Sequence, residues 1–145
     1  MAQTSVQAGE IRLDTRELDR IARNLNMNVD QVLGNLAHEV EQAAKLSMKE
    51  SGTGKAHVPS APGQPPNVDT SDLKNSIKPR RISYGKLHYV EVLAEYGIWL
   101  EFGHRTKPFR KTQGAQRWVA KRPFMIPACE KVRKMLADKY KAIFR

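Results

Sequence analysis

Two prolines near the C-terminus limit where the last helix of this chain can begin. Apolar residues recur at helical spacing toward Phe144, at Ala128, Val132, Met135, Leu136, Tyr140 and Ile143. Pro127 sits at the head of that run. Inside a helix it would remove a backbone hydrogen bond and clash with the preceding turn. Only the first helical turn tolerates it, where the missing N–H would have no intrahelical partner. The helix is therefore predicted to start near Phe124, directly after Arg122 and Pro123. Upstream, Tyr96, Ile98, Trp99, Leu100 and Phe102 form a dense apolar cluster punctuated by Gly97 and Gly103. Gly103 suits a turn that needs φ > 0. Glu101 is the lone acid in this cluster. It is expected to be structural, either exposed at the cluster's end or paired with a basic group such as Arg122, because a buried unpaired carboxylate is costly.

The first 13 residues are small and polar with no apolar period, and a loose N-terminus is expected. Asp14 to Glu17 reads as a capping box. Leu18, Ile21, Ala22 and Leu25 continue a short helix, which Asn24, Asn26 and Asn28 end. Val29, Val32, Leu33, Leu36, Val40, Ala43 and Ala44 then mark one face of a long helix, expected from Val29 to Glu50 and about 33 Å long at ~1.5 Å per residue. Gly52 is a plausible stop.

Residues 52–68 hold Gly54, Pro59, Pro62, Gly63, Pro65 and Pro66 in close succession. Such a run forbids regular structure and should be extended, partly polyproline II, and exposed. A loop of this length within a compact domain is either a linker or functional. Asp69 and Thr70 can cap a short helical turn through Leu73. A strand is expected near Ser76 to Ser83, a turn at Tyr84-Gly85-Lys86, and a second, largely buried strand over Leu87 to Ala94. Arg80 and Arg81 should point to opposite faces. The whole reads as one α+β domain spanning 1–145: a small antiparallel sheet packed against a long N-terminal helix and a C-terminal helix, with a long Pro/Gly-rich arm.

The net charge of +10 is confined to one region. Residues 1–100 balance 12 basic against 12 acidic residues, whereas residues 101–145 carry 13 basic and 3 acidic ones. Such an asymmetry points to a polyanion or an acidic protein surface as partner. Arg105, Lys107, Arg110, Lys111, Arg117 and Lys121 form a basic loop with Phe109 and Trp118 interleaved, and this loop is the candidate contact surface. Two aromatics are too few to claim single-strand stacking.

Nothing in the chain assembles a catalytic centre. Glu101 and His104 have the Glu-x-x-His spacing of a carboxylate metal helix, but such a site needs a second motif and two further glutamates. His38-Glu39 starts a zincin-like pattern that fails at Gln42. Gly54-Lys55 is followed by Ala56, so no phosphate loop forms. The single cysteine, Cys129, excludes an intrachain disulfide and a cysteine metal cluster, and reads as a small buried hydrophobe. The expectation is no enzyme, no cofactor and no metal. No apolar run is long enough to span a bilayer and the N-terminus lacks a signal peptide's apolar core, so residence in the cytosol of the producing cell, without membrane contact, is expected.

Three blocks in order carry a resemblance: Ala61-Pro62-Gly63-Gln64-Pro65-Pro66 leading into Asp69-Thr70-Ser71-Asp72-Leu73 and Ser76-Ile77; Tyr96 with Glu101-Phe102-Gly103; and Arg122-Pro123-Phe124 with Pro127-Ala128. The chain resembles the tail-completion or head–tail joining (neck) proteins of long-tailed, lambda-like phages. Ser71 stands where glycine is common in that family. The resemblance covers the chain from about Gly52 onward. It implies a structural virion protein, without chemistry, that assembles as a ring, typically a hexamer, at the head–tail junction. Its partners would be other copies of itself, the tail terminator or tail tube, and the head-side connector, with sequence-independent contact to DNA in the channel. It would be found in the virion, and in host cytoplasm during assembly. Tyr96, Glu101, Phe102, Gly103, Arg122, Pro123, Phe124, Pro127 and Ala128 would mostly determine the fold, and Pro59, Pro62, Gly63, Pro65 and Pro66 would form an arm that reaches a neighbouring subunit. The alternative, from charge alone, is a basic nucleic-acid-binding protein without sequence specificity.

Overall fold

The structure is a computed structural model that describes residues 15–24, 29–52, 54–82, 87–106 and 117–140. It is an α+β fold in which one long helix carries the first helix, the hairpin and the last helix. In order, α1 (Thr15–Asn24) and α2 (Val29–Ser47) precede a long loop; α3 (Asp72–Ser76) leads into the hairpin β1 (Ile77–Ile82) and β2 (Leu87–Val92); α4 (Gly97–Phe102) leads into the short pair β3 (His104–Arg105) and β4 (Trp118–Val119); α5 (Met125–Tyr140) closes the described chain. Both strand pairs are antiparallel.

The periodicity of α2 does what its spacing predicts. Val40, Ala44 and Met48 join Val68, Leu73, Ile77, Phe124, Ala128 and Val132 in one core. The hairpin and α5 both pack on α2. A smaller cluster, Ala22 and Val32 with Leu33, Leu36 and Leu136, seats α1. The helix ends at Ser47, before the expected Glu50. Its last turn tightens through Met48 N–H to the Lys45 carbonyl at 3.3 Å, and the chain then leaves because Lys49 and Glu50 pair with Val68. Cys129 is only half-buried, and its partial burial pushes the thiol pKa up.

The hairpin corrects one expectation. β2 is covered on one face only. Val90, Val92 and Ala94 pack on the core, whereas Leu87, Tyr89 and Leu93 stand exposed. The alternation itself was legible, but among the described residues a single helical layer is available to cover it. Arg80 and Arg81 do point apart. Arg80 pairs with Glu91 on the outer face. On the helix side, Asp30 of α2 takes the Arg81 guanidinium (Nε–Oδ1 and Nη2–Oδ2 both 3.0 Å) and lies 2.9 Å from His88 Nε2. His88 fits there because residue 34 is glycine: a Cβ would come within 3.3 Å of the imidazole. The proposed capping residue Asp14, the hairpin turn at 84–86 and the chain beyond Tyr140 lie outside the described residues.

The hydrogen bond from His88, with that from Arg81 and its charge, holds the Asp30 carboxyl below its ordinary pKa. A carboxyl with a depressed folded pKa contributes stability that is present above its unfolded pKa and lost as pH falls through the folded one. Asp30→Asn should therefore melt lower than wild type at neutral pH. The gap should close as pH drops below the ordinary aspartate range of about 4. A gap unchanged by pH in thermal melts would show that the triad does not latch the hairpin to α2.

Candidate functional site

Glu101, in the last turn of α4, is buried at 7% exposure. Its carboxylate caps α5. Oε2 accepts from Phe124 N–H at 2.9 Å and Met125 N–H at 3.0 Å, and Oε1 accepts from Ile126 N–H at 2.9 Å. The expectation of an exposed acid, or one paired with Arg122, is thus corrected. The first turn of a helix leaves its N–H groups without partners and carries partial positive charge, which a carboxylate satisfies twice over. The surrounding residues complete the account. Arg122 N–H donates to the Leu100 carbonyl at 2.6 Å, and Pro123 and Pro127 have no N–H to satisfy. Every backbone donor from Arg122 to Pro127 is therefore either bonded to α4 or absent. Phe124, at 1% exposure, is driven into the core beside Ala128. Pro127 occupies the first turn of α5 and is itself exposed, as its position requires.

Gly103 ends α4 at φ 77° and ψ 166°, with the positive φ expected of it. A Cβ there would lie 2.7 Å from the Val119 carbonyl oxygen, so glycine lets β3 and β4 approach. Of the basic loop, Arg105 lies in β3 and Arg117 just before β4, where its carbonyl accepts from Thr106 N–H; both are exposed, as is Lys121. Lys107, Arg110 and Lys111 lie outside the described residues.

The Pro/Gly-rich segment closes on its own domain. Val68 N–H donates to the Lys49 carbonyl at 2.8 Å, which brings the two ends of the loop together. Arg122 Nε donates to the Ser60 carbonyl at 3.0 Å, and Gly63 N–H donates to the Lys121 carbonyl at 2.9 Å. Pro59, Pro62 and Gly63 remain exposed, Pro65 is half-buried and Pro66 is buried. The segment is thus a looped rather than a freely extended arm, with its tip offered to solvent. Beneath it lies a cavity of about 410 Å³ where all three sequence blocks meet: Ser60, Pro66, Asp72, Tyr96, Leu100 and Arg122 are among its walls. Ser71, also in that wall, precedes α3 with φ 64° and caps nothing with its side chain. A left-handed backbone here accounts for why glycine would suit this position. Asp69 does not cap α3; its Oδ1 accepts from Gly54 N–H at 2.7 Å.

Two of the positions expected mostly to determine the fold lie largely at the surface. Phe102 is 48% and Tyr96 40% exposed. Ile98, Trp99 and Trp118 are exposed as well, and helical spacing sets Ile98, Trp99 and Phe102 on one side of α4 as an apolar ridge, whereas Tyr96 lies toward Leu100 in the cavity wall. Trp99 rests on His104 with ring centroids 5.6 Å apart. A six-residue helix cannot turn five large apolar side chains inward at once. Leu100 and Glu101 take the inner side, and the aromatics are left out. Sequence reasoning missed both the cap and the ridge. The signal for the ridge was present, since helical spacing alone puts Ile98, Trp99 and Phe102 away from Leu100. The cap depends on a contact across more than twenty residues and has no local signal.

The Glu101 carboxylate is consumed by three backbone donors, so the Glu-x-x-His pattern leaves no free acid for a metal. Among the described residues, no cluster of three His, Cys, Asp or Glu could hold a metal ion, and no helix is long and apolar enough to cross a membrane. Comparison with known protein families, with curated protein sequences and with solved structures gave no match.

Glu101→Gln keeps the shape of the cap but loses the charge and one acceptor oxygen. It should destabilise the fold by about 1–3 kcal/mol, the range for a hydrogen bond to a charged group or a donor left orphaned. Chemical denaturation reads this directly. A variant as stable as wild type would show that the carboxylate does not hold α5.

Proposed function

We propose that this chain is a structural, non-catalytic subunit that assembles head to tail into a ring at the head–tail junction of a tailed phage. The observation that carries this reading is the exposure of Ile98, Trp99, Phe102 and Trp118, large apolar side chains that stand outside the core formed by the described residues. Exposed aromatic clusters of this kind mark protein contacts, where tryptophan and its neighbours act as anchors. A head-to-tail ring needs two different patches per subunit. The ridge supplies one, and the exposed tip of the loop at Pro59, Pro62 and Gly63 the other. The resemblance of the three sequence blocks gives the ring its place, in tail completion next to the tail terminator or the head-side connector. The exposed basic residues Arg105, Arg117 and Lys121, with Lys131, Arg133 and Lys134 on α5, suit an acidic neighbour or DNA passing through the ring.

The ridge separates contact from folding. Phe102→Ser combined with Trp99→Ser should leave the melting temperature near wild type, because both side chains are half in water already. Phe124→Ala, by contrast, should cost about 3–5 kcal/mol. In a complementation assay the ridge variant should fail to restore infectious particles, since loss of an aromatic anchor weakens a contact by ~2 kcal/mol or more, roughly thirtyfold. Full complementation by a folded ridge variant would overturn the reading. Salt-sensitive duplex DNA binding by the isolated chain, unchanged by the ridge substitutions, would favour a nucleic-acid-binding protein instead.

A further inference from the structure

A two-stranded sheet has two outer edges, and the register of β1 against β2 decides which backbone groups face each of them. Pro79 lacks an N–H, so Pro79 and Val90 form a non-bonded pair. Leu93 N–H donates to the Ser76 carbonyl at 3.1 Å, which makes the flanking position a bonded one. Both observations set the same alternation. Lys78–Glu91, Arg80–Tyr89 and Ile82–Leu87 are the bonded pairs, and the backbone groups of Ile77, Pro79 and Arg81 on β1, and of His88, Val90 and Val92 on β2, point outward. Among the described residues nothing bonds to the outward backbone groups of β2. The two edges are not equivalent. Pro79 interrupts the β1 edge at its centre, a recurrent guard against strand addition. The β2 edge is uninterrupted.

We propose that β2 is a contact strand through which two copies of this chain pair antiparallel about a two-fold axis centred on Val90. The occupant follows from the strand's match to itself. Outward-facing residues have to meet outward-facing residues, and the register that sets Val90 opposite Val90 is the one that engages all three from each copy, His88 against Val92 and Val92 against His88. Shifting the centre by one residue loses a pair at one end. The same register sets Leu87 opposite Leu93 of the second copy and Tyr89 opposite Glu91. Leu87 and Leu93 are 51% and 56% exposed, and each lacks an apolar cover that the other would provide. The two hairpins would join into a four-stranded sheet. This contact is isologous and closes at two copies. It uses a different surface from the ridge and does not rest on the ring reading.

Cysteine pairing in the full chain tests the register, with Cys129→Ala removing the native thiol. In a non-bonded antiparallel pair the Cα atoms are about 4.5 Å apart, within disulfide reach. A mixture of Leu87→Cys and Leu93→Cys chains should form a disulfide-linked dimer under mild oxidation, and each variant alone should not. Val90→Pro added to both should abolish the cross-link while the helical circular dichroism persists, because the Val90 N–H bonds nothing among the described residues of its own subunit. Cross-linking of either single variant with itself, no cross-link in the mixture, or a cross-link indifferent to Val90→Pro would each overturn the proposal. A ring that forms through the ridge leaves all of these readouts intact, and its absence does not remove them.

Discussion

The carboxylate of Glu101 at the start of α5 is the contact on which the rest of this arrangement depends. One buried side chain satisfies the three N–H groups that the first turn of a helix cannot satisfy itself, at 2.9–3.0 Å. The prolines on either side remove the donors that remain. The result is a helix entry with no orphaned polar group, which allows it to be buried. Because the cap comes from α4, it fixes two elements at once: Phe124 is held in the core below, and the outer side of α4 is held up to solvent above. The pattern of Glu-Phe-Gly upstream and Arg-Pro-Phe-x-x-Pro downstream is the sequence trace of this single junction.

What could be read from the sequence was what local physics decides. Pro127 had to fall in a first turn, Gly103 had to take a positive φ, and the apolar spacing of α2 had to face a core; each holds. Arg80 and Arg81 had to diverge because strand side chains alternate. What could not be read depends on which elements meet. Glu101 has no nearby partner in sequence, so its role waits on the approach of α5. Phe102 and Tyr96 are apolar or aromatic, and residue type alone argues for burial, but a six-residue helix has one inner face and Leu100 occupies it. Leu87 and Tyr89 alternate correctly yet stay exposed, because α2 covers a single side of the hairpin. The loop at 52–68 carries the composition of a free arm, and only the Arg122–Ser60 and Gly63–Lys121 bonds reveal that it returns to its own domain.

These facts divide the molecule between fold and contact. Glu101, Gly103, Phe124 and Ala128 are spent on holding the domain together. Ile98, Trp99, Phe102 and Trp118, the tip of the loop and the open edge of β2 are not. A buried carboxylate orients a short helix whose aromatics stand exposed, and the proposed contact role rests on that surface. A subunit of a junction ring is the reading that brings this surface, the basic C-terminal third and the three ordered sequence blocks under one account.

The most direct measurement is electron microscopy of a lysate from a phage or prophage that lacks only this chain. The account predicts DNA-filled heads lying apart from tails of finished length, with the blunt or incomplete end of the tail showing which side has lost the ring. Normal, infectious virions would contradict it.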